Sequence, residues 1–182
     1  MKKESGFTLV ELMVVISITV LLLAWGIPSY STWNKKHNIE NQMIQLYSDL
    51  QFGRMNAYGN KVVSGILWSN NFSTYQILYI SQSDGFNGTI DTGGSTVQGT
   101  TTVNLRYPVT SVALNTTTQQ ATNQQSVSFN GRGFLYTTYA PDTANQITYY
   151  VTPSYGALMD CVQVSTTQII LGNWNGTTCK QN

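Results

Sequence analysis

The sequence predicts an α+β protein, with one long N-terminal helix, half membrane-spanning and half amphipathic, packed on a C-terminal antiparallel β domain. Three observations carry this. Phe7 to Ile27 is a long apolar run, apolar residues recur at spacings of four and three from Ile39 to Ala57, and short β-rich runs separated by turn residues begin at Lys61.

The apolar run has 21 residues. As a helix it extends about 31 Å, the thickness of a bilayer core. Secretory signal peptides have a shorter apolar stretch, of about 7 to 15 residues, and end in a small-x-small cleavage site. This run leads instead into Trp25, Pro28, Tyr30 and Trp33, whose aromatics suit a membrane interface. Lys2 and Lys3 on one flank match Lys35 and Lys36 on the other, so charge leaves the orientation open. Inside the run lies Glu11. A charge at the centre of a bilayer helix costs roughly 2.5 to 3.5 kcal/mol on insertion scales, which marks Glu11 as functional unless it snorkels to the interface.

Beyond Pro28, whose ring removes a helical donor and can kink the helix, Ile39, Met43, Leu46, Leu50, Gly53 and Ala57 form an apolar stripe, with Asn38, Glu40, Gln45 and Asp49 between them. The helix is expected to run from Phe7 to about Tyr58 and to stop at Gly59 and Asn60. Residues 59–182 then form the β-rich domain. Its strand candidates are KVVSGILW, STYQILYI, TVNLRY, SVALN, QSVSFN, FLYTTY, QITYYV and a last pair, CVQVS and QIILG. Ser83 to Thr102, rich in Gly, Ser and Thr, reads as a long loop with at most one short strand. Asn130-Gly131 is a strong hairpin signal.

The length of 182 residues and a hydrophobic share of 41% allow one packed module beyond the membrane segment. Only 9% of residues are charged, against about 25% in typical soluble domains. Thr, Ser, Asn, Gln and Tyr take their place, a surface suited to packing against copies or partners. Outside the first six residues, seven basic side chains face seven acidic ones, which gives no overall attraction to nucleic acid or anionic lipid. Cys161 and Cys179 are an even pair in a chain headed by a membrane-targeting segment, which points to an oxidising compartment and one disulfide. A zinc site lacks ligands, because His37 is the single histidine and there is no third cysteine. The disulfide places the large C-terminal part outside the cell's reducing interior.

A short basic leader ending in Gly6, then Phe7, then Glu11 within FTLVELMVV, and a proline at Pro28, resembles the N-terminus of type IV pilins and type II secretion pseudopilins. The resemblance implies a leader of residues 1–6, removed between Gly6 and Phe7 by an inner-membrane prepilin peptidase that then methylates the Phe7 amine. It implies a membrane or filament-core helix over 7–27, continued by an amphipathic helix over 28–58. It also gives Glu11 a role in subunit assembly, pairing with the terminal amine of a neighbouring subunit. Such a subunit sits in the bacterial inner membrane as a single-pass protein with a periplasmic domain, then enters a pilus or pseudopilus. LYSDLQFGRMNAY over Leu46 to Tyr58, followed by a wholly β domain, more narrowly resembles the GspH/FimT-type minor pilins and pseudopilins, and implies a pilin fold.

Other functions are weaker. Nucleophilic catalysis needs a histidine near the nucleophile, yet His37 lies beside two lysines at the membrane end, and GGSTVQG lacks a P-loop lysine. No cofactor is expected. Some members of the FimT branch bind DNA through a Gly-Arg-x-Arg stretch after a strand ending in Val-Ser; here Gln168, Ile169, Ile170 and Leu171 follow Val164 and Ser165. Arg54, Lys61, Arg106, Arg132 and Lys180 are dispersed in sequence. DNA is therefore not an expected partner. The expected partners are other pilin or pseudopilin subunits, met through the helix face near Lys35 to Asn41 and the Ser83 to Thr102 loop. The expected function is a minor pilin that primes, caps or joins a type IV pilus. The H-type pseudopilin of type II secretion is the alternative, and a major pilin is less well matched.

Overall fold

The computed structural model describes residues 6–69, 71–80, 97–115, 121–122, 126–136 and 144–181, with some side chains, those of Trp25 to Pro28 among them, outside the description. Leader residues 1–5, most of the Ser83 to Thr102 tract and the end of FLYTTY therefore lie outside the described residues.

Helix α1, Leu9–Asn60, has 52 residues and extends about 78 Å at 1.5 Å per residue. It starts after Phe7 because Thr8 is extended (φ −81°, ψ 150°) and caps the helix, its hydroxyl accepting from the Glu11 amide at 3.3 Å. It ends where Lys61 turns left-handed at φ 54°. One helix passes through Pro28.

The strands are β1 (Val63–Trp68), β2 (Thr74–Ile80), β3 (Val97–Asn104), β4 (Thr110–Asn115), β5 (Ala121–Thr122), β6 (Ser126–Phe129), β7 (Leu135–Tyr136), β8 (Ala144–Tyr150), β9 (Cys161–Ser165), β10 (Ile169–Trp174) and β11 (Cys179–Lys180). They form a five-stranded sheet in the order β3-β2-β1-β6-β7 and a six-stranded sheet in the order β11-β10-β9-β8-β4-β5. Neighbouring strands pair antiparallel throughout.

The stripe on the second half of α1 closes the core over both sheets. Ile39, Met43, Leu46, Leu50 and Ala57 are buried against Ile66, Trp68 and Val127 of the first sheet and Ile147, Val162 and Val164 of the second. Burying each such side chain stabilises the fold by about 1.5 to 3 kcal/mol. At the seam, the Trp68 ring lies 5.1 Å from Tyr75 and 4.9 Å from Tyr149, one contact within its own sheet and one to the other.

Three local expectations differ from the structure. β3 begins at Val97, inside the stretch read as loop, and stops before Leu105. Backbone pairing with β2, from Thr74↔Asn104 to Ile80↔Val97, sets its length where the VQGTTT side chains give little signal. The chain reverses after β6 through five residues, 130–134, instead of a two-residue turn at Asn130-Gly131. The Asn130 Oδ1 accepts from the Arg132 and Phe134 amides at 3.0 and 3.1 Å, and Gly133, at φ +77°, takes the left-handed position. The C-terminal unit has a third strand, β11, beyond the expected pair.

Candidate assembly site

Among the described residues, nothing packs on the apolar start of α1. Its apolar side chains from Leu9 to Leu23 are each more than half exposed, and Phe7 is 83% exposed. This part of the helix is long and apolar enough to cross a membrane, and its most apolar window has nothing packed on it. The hydroxyls there are satisfied internally: Ser17 donates to the Met13 carbonyl at 2.8 Å and Thr19 to the Val15 carbonyl at 2.7 Å, as apolar surroundings require. Glu11 differs. Among the described residues its carboxylate has no ion pair or hydrogen bond, although its position in the first turn favours a negative charge. Thr8 and Glu11 have the spacing of a capping box, a signal legible in FTLVE but not used above; the Thr8 half of the box is formed.

In the second half of α1, polar residues turn to the domain and an uncharged face turns away. Glu40 Oε1 accepts from the Leu158 amide at 2.9 Å. Gln42 makes two bonds to the Tyr107 backbone, donating to its carbonyl at 2.7 Å and accepting from its amide at 3.0 Å. Asp49 accepts from the Tyr75 hydroxyl at 2.5 Å; burial, with this carboxylate second, raises the Tyr75 phenol above its ordinary pKa. Arg54 donates to the Gly133 carbonyl at 2.8 Å and to the Thr167 carbonyl at 2.6 Å, tying a turn of each sheet to the helix. These clamps are not legible in the sequence because their partners, backbone atoms and the Tyr75 hydroxyl, lie far along the chain. On the outward face Asn41, Ile44, Gln45, Ser48, Phe52, Met55 and Tyr58 are exposed and carry no charge. The stretch from Lys35 to Asn41, expected as the partner surface, is instead partly covered by the segment that bears Tyr155 and Leu158.

Cys161 and Cys179 are bonded, with their Cα atoms 5.9 Å apart, and link β9 to β11 across β10. Gly172 lies at the crossing: a Cβ there would fall 1.9 Å from the Lys180 carbonyl oxygen, so a side chain would displace β11. Beside the bridge, Asp160 is buried and accepts from the Trp174 amide at 2.6 Å. Burial raises its pKa, and that hydrogen bond opposes the shift. Of the five dispersed cations, the fold brings Arg54, Lys61 and Arg132 to the turn after β6. Lys61 Nζ reaches the Gly131 carbonyl at 3.4 Å and lies over the Tyr58 ring at 4.0 Å. Arg106, beside the Gln42–Tyr107 pair, and Lys180, on β11, lie elsewhere. Ser165 to Gln168 form a tight turn, with Thr166, Thr167 and Gln168 exposed and uncharged.

Residues 1–27 match the family model described as the prokaryotic N-terminal methylation motif. The type IV pilus subunit protein TapA of Aeromonas hydrophila and the prepilin peptidase-dependent protein D of Escherichia coli (strain K12) are each 56% identical over 36 residues, 20% of this chain. The matched stretch spans only 25% of the length of either relative. Among solved structures, the minor pseudopilin EPSH from the type II secretion system of Vibrio cholerae superposes with a TM-score of 0.51 at 8% identity, over 75% of this chain and 94% of that one. The type IV minor pilin FimU of Pseudomonas aeruginosa gives 0.45 at 12% identity, over 78% and 92%. The N-terminus is thus a prepilin-type signal. The architecture, a long helix on antiparallel sheets, is a pilin fold.

Proposed function

We propose that this chain is a structural minor pilin subunit that primes, caps or joins a type IV pilus. It is cut between Gly6 and Phe7, methylated on the Phe7 amine, and drawn into the filament by Glu11 pairing with that amine on a neighbour. The observation that carries the reading is the Glu11 carboxylate, without a partner among the described residues, on a helix half that its own chain leaves bare. An isolated charge in apolar surroundings is costly, and a cation beside it removes most of the cost. Methylation leaves the amine charged. Before assembly, inner-membrane lipid covers the apolar half and the domain lies in the periplasm, where the disulfide persists. The likeness of the N-terminus to pilus subunits supports this reading.

Intact mass of the chain isolated from its own cells tests the processing step: the mature form starts at Phe7 and carries one methyl group. A chain that retains Met1, or begins well after Ile27, overturns it. The same signal and fold also serve the H-type pseudopilin of type II secretion, the second reading. Deleting the gene separates the two: loss of surface pili with normal protein export supports the pilus, and the reverse supports the pseudopilus.

A further inference from the structure

We propose that the turn between β8 and β9, residues 152–160, is a second lipid-contact element, seating Tyr155 and Leu158 in the headgroup layer of the leaflet from which α1 emerges. The inference rests on the reading of α1 as membrane-anchored before assembly. Among the described residues, the domain's contacts along α1 run from Lys35 with Tyr155 and Glu40 with Leu158, through Gln42 with Tyr107, to Arg54 with Gly133. Among the described residues, this turn is therefore the rim of the domain nearest the apolar span.

The rim has the chemistry of a membrane interface. Tyr155 is 39% and Leu158 59% exposed, and the one acid in the turn, Asp160, is buried. On the helix beside it, Tyr30 and Trp33 are exposed with ring centroids 6.0 Å apart, and such aromatics favour the headgroup region. Lys35 and Lys36 against Glu40 leave one net positive charge facing anionic lipid. The turn is also fixed: Asn173 donates to the Ala157 carbonyl at 2.9 Å, the Ala157 amide to the Ser154 carbonyl at 3.0 Å, and Tyr155 and Gly156 hold positive φ.

Distances permit the contact. Lys35 lies about 12 Å and Glu40 about 20 Å beyond Ile27 along the helix, and side chains lean back towards the helix N-terminus. The headgroup layer is about 5 to 7 Å deep on each side. A tilt towards the turn of about 20° brings Tyr155, and of about 40° Leu158, into that layer, both within the range of membrane helices.

The test uses the full chain with its disulfide intact, in vesicles of phosphatidylcholine and phosphatidylglycerol at low protein density. Nitroxide labels on Tyr155→Cys, Leu158→Cys, Thr167→Cys and Val20→Cys report collision with a water-soluble nickel chelate. The proposal predicts roughly threefold lower collision at 155 and 158 than at 167, as for side chains sunk into the interface. Changing Lys35 and Lys36 to Gln should lessen the protection. Collision at 155 and 158 equal to that at 167, with position 20 in lipid, overturns the proposal and leaves the anchor standing. Position 20 in water overturns both. Protection that grows with protein density assigns the turn to a second copy of the chain and overturns the lipid contact.

Discussion

Leu22 and Leu46 are the same residue in the same helix, yet Leu22 is 70% exposed and Leu46 is fully buried. The second half of α1 meets its own sheets along a stripe with polar residues beside it, so its burial is complete within one chain. The first half is apolar on all sides, as a helix in lipid or in a bundle of helices must be. Its one carboxylate has no partner among the described residues, and the proposed reading gives it one on a neighbouring subunit. On the proposed reading, one continuous helix divides its burial between folding and assembly, and substitutions in the two halves should be read by different measurements.

Trp68→Ala should have the largest effect on the domain, about 3 to 5 kcal/mol, because it opens a cavity at the seam of the sheets. Leu22→Ala, which also removes apolar surface from α1, should leave the domain's urea midpoint unchanged. A shift of comparable size for Leu22→Ala would break the division. Next comes the disulfide: Cys161→Ser should lower stability by roughly 3 kcal/mol, since closing a loop of this size restricts the unfolded chain. Denaturation with and without reductant checks it, and reductant should not affect the substituted chain.

A smaller effect belongs to Asp160. Its folded pKa lies above the unfolded value of about 3.9, so between the two values the folded state holds the extra proton. Asp160's contribution is therefore fully present below about pH 4 and declines as pH rises through the folded value. Asp160→Asn keeps an acceptor for the Trp174 amide and should flatten that slope in urea midpoints measured across pH. Asp160→Ala should cost about 1 to 3 kcal/mol below about pH 4, the penalty for an unsatisfied buried amide, and less as pH rises through the folded value.

The sequence carried what is local or periodic. The Ile39 to Ala57 stripe repeats every turn, and the strands with apolar runs stand out against their turns. β3 and β11 were hidden because strand pairing is a property of the neighbour: Val97 to Thr101 become strand by bonding to β2, and Cys179 and Lys180 by bonding to β10. The clamps from Gln42, Asp49 and Arg54 were hidden for the same reason, since each reaches across the chain to a loop or a core phenol. Glu11 was legible because nothing around it is polar enough to dilute the signal.

The most direct test of the account is the recovery of Glu11→Ala subunits in sheared filaments, measured beside the melting temperature of the domain. Pairing of Glu11 with a neighbour's amine predicts an unchanged melting temperature and recovery at least about tenfold below wild type, since an amine buried without its partner costs roughly 3 to 5 kcal/mol. Recovery equal to wild type would show that the carboxylate plays no part in assembly.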